Sequence, residues 1–326
     1  MYETMEYGGP PRPPRRGPSY WLIGAIVGAL AVGWLVVSEP VRDAQPEKPA
    51  VVPTPIELGG TTTGQARELS AALTALKLEC SVQFTSSDGG LAGCFQRLDG
   101  GLTSAEVRFQ YRSDGTVTGI DARAEGPVNG HDVTALKPLV AATAGVVFPA
   151  DQEAALRVAG TNSSKFDGSW GSYRTEIAAG PALFVAGKFG AAPVDPQQRA
   201  ATTTTDAAEL GFKDLGFKCS DNDCVSTKGQ VTIPFDDMGP EGIRYLRLST
   251  LGQTNYESFS LLVEATFNVV HGPGTEEVRE WIIKHSETGS HTGYVAGWRV
   301  QLVVYGGTGG LEVSMSTDYP WTTPDQ

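Results

Sequence analysis

The sequence predicts an α+β protein: a single N-terminal transmembrane helix, then two tandem modules, each an antiparallel sheet with helices on one face. Three observations predict it. A charge-free apolar run covers Tyr20–Val37. Downstream segments alternate apolar and polar residues between turn signals, as half-buried strands do. A similar succession of elements occurs on both sides of a low-complexity break at 191–204.

The run YWLIGAIVGALAVGWLVV gives about 27 Å of helix, near the roughly 30 Å of a hydrocarbon core. Tyr20, Trp21 and Trp34 stand near its ends, where interfacial aromatics belong. Arg12, Arg15 and Arg16 precede it, so the positive-inside rule places residues 1–19 in the cytoplasm and the remainder outside. A cleaved signal peptide is the competing reading, but the apolar core is longer than such peptides use and no small-x-small site follows. The expected localisation is therefore the cell membrane, with one pass and extracytoplasmic C-terminal modules. The bilayer is the first expected partner, through residues 20–37. Gly24 and Gly28 form a G-x-x-x-G pair, a spacing that lets two helices approach closely and points to a homodimer.

Residues 1–19 are a Pro/Arg-rich tail, too polar and too short to build a core. Residues 38–64 carry Pro40, Pro46, Pro49, Pro53 and Pro55 and read as a semi-rigid stalk. Module 1 is expected over 65–190, a linker over 191–204, module 2 over 205–318 and a C-terminal tail over 319–326.

The two modules read as a duplication. Helical patterns at Ala66–Lys77 and Ala207–Gly216 each run into a cysteine, Leu78-Glu79-Cys80 against Phe217-Lys218-Cys219. A second cysteine follows in each, Cys94 and Cys224. Strands then match around Val107–Phe109 and Ile243–Tyr245, and longer strands at Thr116–Glu125 and Ser258–Val269. Helices match at His131–Val146 and Thr275–His285, and final strands at Ser172–Ile177 and Gly297–Leu302. In the first module Val107, Phe109 and Tyr111 alternate with Arg108, Gln110 and Arg112, and Asp114-Gly115 marks the hairpin turn.

Four cysteines allow three pairings. An extracytoplasmic location favours disulfides, and the duplication favours Cys80–Cys94 with Cys219–Cys224. Neither pair has the spacing of a zinc knuckle or of a redox-active C-x-x-C.

Nothing in the sequence forms a catalytic constellation, and no cofactor or metal is called for. There is no G-x-S-x-G elbow. His285-Ser-Glu-Thr-Gly-Ser-His291 is the densest polar cluster. Its bland role is a helix end followed by a turn. Gly306–Gly310 lacks the Lys-Ser/Thr of a phosphate loop and reads as a hairpin turn. Asp221 and Asp223 lack the spacing of a calcium loop. Asn162-Ser163-Ser164 fits a glycosylation acceptor. Among the C-terminal aromatics Tyr294, Trp298, Tyr305, Tyr319 and Trp321, strict alternation sets Trp298 and Tyr305 on opposite faces, and Tyr319 and Trp321 are a candidate partner-binding pair.

The net charge is −12, and the slightly basic tail leaves the acidic excess in the modules. Nucleic acid is excluded as a partner, and anionic polymers are disfavoured. In composition and topology the chain resembles single-pass actinobacterial proteins with a Pro/Arg-rich cytoplasmic tail. The expectation is a membrane-anchored, extracytoplasmic binding or scaffold protein without catalysis, its partner an envelope ligand or another protein. Two alternatives stand beside it. One is an envelope hydrolase assembled from distant groups such as Asp236 or Asp237 with Glu264. The other is a bitopic signalling component.

Overall fold

The computed structural model describes residues 57–98, 103–125, 133–159, 164–176, 182–187, 200–226, 231–236, 242–250, 252, 255–305 and 310–317. The expected span Tyr20–Val37 lies outside them. Among the described residues no helix is long and apolar enough to cross a membrane.

The protein is α+β, built on two antiparallel sheets. Module 1 opens with β1 (Glu57–Leu58) and α1 (Gly64–Ala75). Then come β2 (Glu79–Ser86), β3 (Gly89–Leu98), β4 (Thr103–Arg112) and β5 (Val117–Glu125). Helices α2 (Val133–Val147) and α3 (Gln152–Val158) follow, and β6 (Ser164–Asp167), β7 (Gly171–Glu176) and β8 (Ala182–Gly187) close the module. Its eight strands are ordered β1-β2-β3-β4-β5-β8-β7-β6.

Module 2 runs α4 (Thr205–Asp214), β9 (Lys218–Ser220), β10 (Asp223–Val225), β11 (Val231–Asp236) and β12 (Tyr245–Thr250). It continues with α5 (Tyr256–Val269), α6 (Thr275–His285), β13 (His291–Val295), β14 (Trp298–Val304) and β15 (Leu311–Ser316). Its seven strands are ordered β13-β14-β15-β12-β11-β10-β9. Read from β9, that is the order β2-β3-β4-β5-β8-β7-β6 of module 1. The helices also fall at the same points of the chain, so the two modules share one topology.

Two expectations are corrected. Ser258–Val269 is not a strand but lies within α5. Its buried residues Phe259, Val263, Thr266 and Phe267 follow the helical period, and the Asn255 side chain caps it by accepting from Ser258 N at 2.7 Å. That shift moves the correspondence by one element. In chain order α2 matches α5 and α3 matches α6, while β4 matches β11 and β5 matches β12. The sheet also begins inside the stretch expected to be stalk, because Glu57 and Leu58 pair with Thr85 and Phe84.

Each sheet buries one face under its own helices. In α1, Ala66, Leu69 and Leu73 form the buried stripe. They meet Val107 and Phe109 of β4 and Ile120 and Ala122 of β5 in the first core. In module 2, Phe212, Phe259, Val263 and Ile282 pack on Leu246, Leu248, Trp298 and Val300. Trp298 is fully buried, as one of the two C-terminal aromatics had to be. The Asp114-Gly115 turn follows expectation. Gly115 has φ +85°, and a Cβ there would strike the Thr63 carbonyl at the start of α1, so glycine is required both for backbone and for space.

A buried carboxylate ties the β6–β7 turn to the helices of module 1. Asp151 ends a single 3-10 turn, Pro149–Asp151. It accepts from Ser169 N and Oγ at 2.8 Å each, from Trp170 N at 2.8 Å and from Tyr173 OH at 2.7 Å. Burial alone would raise its pKa. The hydrogen bonds outweigh that and hold the carboxyl down at about 2. Around it Tyr173 stacks on Phe166 at 4.4 Å and meets Phe148 edge-on at 5.3 Å.

A carboxyl depressed in the native state stabilises above its unfolded pKa and loses that contribution as pH falls through the native value. Asp151→Asn is therefore expected to cost about 2 kcal/mol at pH 7, the worth of a charge-assisted hydrogen bond. The gap from the parent should close between pH 4 and pH 2. Urea midpoints at pH 7 and pH 2.5 check this, and a pH-independent gap would assign the cost to packing.

Candidate functional site

Both disulfides form as expected. Cys80 lies opposite Cys94 across β2–β3, with S–S 2.02 Å, and Cys219 opposite Cys224 across β9–β10, with S–S 2.01 Å. The turn between Cys219 and Cys224 uses Asp221 and Asn222 at φ +52° and +61°, the left-handed pair of a type I′ turn. Gly24, Gly28, Tyr319 and Trp321 lie outside the described residues, as do Asn162, His131 and Asp237.

The other polar candidates have structural partners. His285 sits at the end of α6, with its Nδ1 2.7 Å from the Trp281 carbonyl and its ring 4.4 Å from the Trp281 ring. His291 lies 5.0 Å from His285, ring to ring, with Nε2 2.9 Å from Thr288 Oγ1 and Nδ1 3.2 Å from Glu79 of β2. Among the described residues no three His, Cys, Asp or Glu side chains are arranged to hold a metal ion. Glu264 pairs with Arg279 at 2.8 Å. Val304 faces Leu311 across β14–β15, and Tyr305 N donates to Gly310 O at 2.9 Å, while residues 306–309 of the expected turn lie outside the described residues.

The structure brings together a set that sequence reasoning left apart. The face of the first sheet away from its helices carries Arg97, Glu106, Arg108, Asp121 and Arg123 beside the apolar Leu91 and Phe95. It is nonetheless buried at Glu106, Arg108 and Asp121. Strand β13 of module 2 lies against β2 and β3 over this face. Arg299 of β14 donates to Glu106 at 2.7 Å, and its guanidinium lies 5.5 Å from the centre of the Phe95 ring. Phe95 meets Tyr294 edge-on at 5.3 Å.

The backbone joins in. Tyr294 N donates to Ser81 Oγ at 2.8 Å and Gln83 Nε2 to Gly297 O at 3.1 Å. Arg97 donates to Thr292 Oγ1 at 3.1 Å. Gln301, with its carboxamide oxygen facing these donors, accepts from Arg97 at 3.0 Å and from Arg299 at 2.7 Å. Arg108 and Arg123 both bind Asp121. Burial pushes the Glu106 pKa up, but Arg299, Arg108 and Arg123 outweigh it and hold the carboxyl below its ordinary value.

Beside this seam opens a cleft of about 340 Å³, lined by Gly60, Thr61, Thr62, Arg67, Ser70, Cys80, Ser81, Val82 and Ala92. Its origin is local. After Leu58 the chain leaves β2 through Gly59 at φ +69° and Gly60 at φ +111°, both left-handed. The last bond to β2 there is Gly59 N to Gln83 O, at 3.1 Å. Helix α1 walls the other side with Arg67 and Ser70. The floor is Val82 and Ala92 with the exposed Cys80 half of the disulfide. Arg67 is exposed, and no acceptor among the described residues engages its guanidinium. The one sequence sign of this site was Gly59-Gly60 just before a helix.

No protein-family model matches the chain, and no curated protein matches it.

Removing one member of a buried ion pair strands the other, at about 3–5 kcal/mol. Glu106→Ala is expected to destabilise the two-module unit by that amount. Arg299→Ala should cost less in the Glu106→Ala background than alone. Guanidinium denaturation of both single variants and the double variant measures the coupling, and additive losses would deny it.

Proposed function

We propose that the chain is a membrane-anchored, extracytoplasmic binding or scaffold protein, non-catalytic, and that the cleft between α1 and β2 is its ligand site. Residues 20–37 hold it in the bilayer with the N-terminus inside, and Gly24 with Gly28 offers a helix-pairing surface. The two modules descend from one duplicated unit, of which the shared topology is the trace.

The observation that carries the reading is the pair of disulfides. Disulfides persist in oxidising compartments, and the apolar run that precedes the modules provides the route across the membrane. The polar groups support a binding role over chemistry. Asp151, Glu106, Asp121, Glu264 and His285 are each engaged in holding elements together. Arg67 stands apart from them, at the rim of a concave surface where a ligand can reach it.

Two measurements on native envelopes test the location. A non-reducing peptide map is expected to show Cys80 joined to Cys94 and Cys219 to Cys224. Protease added to intact spheroplasts is expected to remove the modules and spare the tail. Free thiols together with protease protection would overturn the proposal.

A further inference from the structure

We infer that the cleft binds an extended peptide end: its main chain adds to the free edge of β2, and its terminal carboxylate is held by Arg67. This rests on the cleft being the binding site and adds the class of ligand.

The first observation is the edge. Strand β2 pairs with β3 along its whole length but with β1 only at Phe84 and Thr85. From Glu79 to Val82 its outer side has no strand partner among the described residues. A free edge offers a row of N–H and C=O groups and is the standard template for a further strand. The line that strand would take is the continuation of β1, which the chain abandons at Gly59 and Gly60. The space left there is the cleft itself, at the small end of the range for ligand pockets. That size suits a few residues of extended chain.

The second observation is the charge. The chain is acidic overall, yet the cleft presents one guanidinium that no acceptor among the described residues engages, that of Arg67 on the α1 wall. A guanidinium fork matches a carboxylate in two parallel hydrogen bonds. Thr61, Thr62 and Ser70 supply hydroxyls beside it, while Val82, Ala92 and the disulfide give an apolar floor for one side chain. A free amino end would find no carboxylate among these lining residues.

The third observation is rigidity. The Cys80–Cys94 bond fixes the edge strand to its neighbour. Ser81 Oγ is held from the other module by Tyr294 N. A preorganised edge lowers the ordering cost of adding a strand.

The test uses the full chain in nanodiscs with three probes: random hexapeptides with free C-termini, the same pool amidated, and hexanoate. The free-acid pool is expected to bind and to slow hydrogen exchange at Cys80–Val82. Amidation, or Arg67→Glu, is expected to weaken binding about tenfold or more. Arg67→Gln provides a second variant, and the peptide map verifies that both fold. Equal binding of the amidated pool, or hexanoate binding as well as any peptide, overturns the ligand class while leaving the cleft as the site. Peptide binding with protection elsewhere overturns the site as well. Binding by none of the probes overturns the inference, and the location measurements above then judge the wider proposal separately.

Discussion

The contact between Arg299 and Glu106 is where the two halves of the fold are fixed to one another. Each sheet commits its most apolar face to its own helices, and the other face mixes charged residues with a few apolar ones such as Phe95 and Tyr294. Bringing such faces together strips water from charged groups, which is unfavourable unless each one is paired and bonded. Here the pairing is dense. Glu106 sits among three guanidiniums. Arg299 is shared between that carboxylate, the carboxamide of Gln301 and the ring of Phe95. Contacts of this kind are directional, so they set the pose of module 2 on module 1 more sharply than apolar area would. A slip of one residue along β13 would lose Tyr294 N to Ser81 and the edge-on Phe95 contact together.

The seam also explains why one topology used twice yields unlike modules. In module 1 the strand carrying the first cysteine is long, and its face supports β13. In module 2 the corresponding strand, β9, has only three residues. Among the described residues, only module 1 has a strand ahead of its first helix, β1, with two left-handed glycines leading away from it. The described lining of the cleft comes from module 1, and one of its residues, Ser81, is held by Tyr294 of module 2. The topology shared by the two modules supplies the scaffold, and the differences between them supply the concave surface.

Local features were legible in the sequence. The cysteine hairpins, the Asp114-Gly115 turn, α1, α2, α4 and α6 follow from periodicity and turn chemistry within a few residues. The misreading of Ser258–Val269 has a physical origin. Phenylalanine, valine and threonine favour strands by propensity, and the spacing of Phe259, Val263 and Phe267 with the Asn255 cap overrode that preference. The seam was not legible. Val107-Arg108-Phe109-Gln110-Tyr111 states which residues share a face but not what covers it. Arg108, on the polar side of that alternation, is buried. Glu106 and Arg299 lie 193 residues apart, and no local signal joins them. Asp151 was likewise silent, because its donors arrive from a turn 18 to 22 residues downstream.

Charge at long and short range separates at the cleft. The acidic surface repels anions at a distance, but its reach is limited to the Debye length, about 8 Å at physiological ionic strength. A carboxylate in contact with Arg67 lies well inside that length, against a partly apolar floor where the local dielectric is lower than in water. In the proposed binding mode the net charge acts against an anion at a distance, while contact with Arg67 favours its carboxylate at short range. In that mode the acidic excess would act against non-specific anionic polymers, while the edge of β2 would select an extended main chain beside the charge. Neither the guanidinium nor the edge alone would discriminate well among ligands. Their juxtaposition, fixed by the Cys80–Cys94 disulfide and braced from module 2 through Ser81, requires both features of a ligand at once.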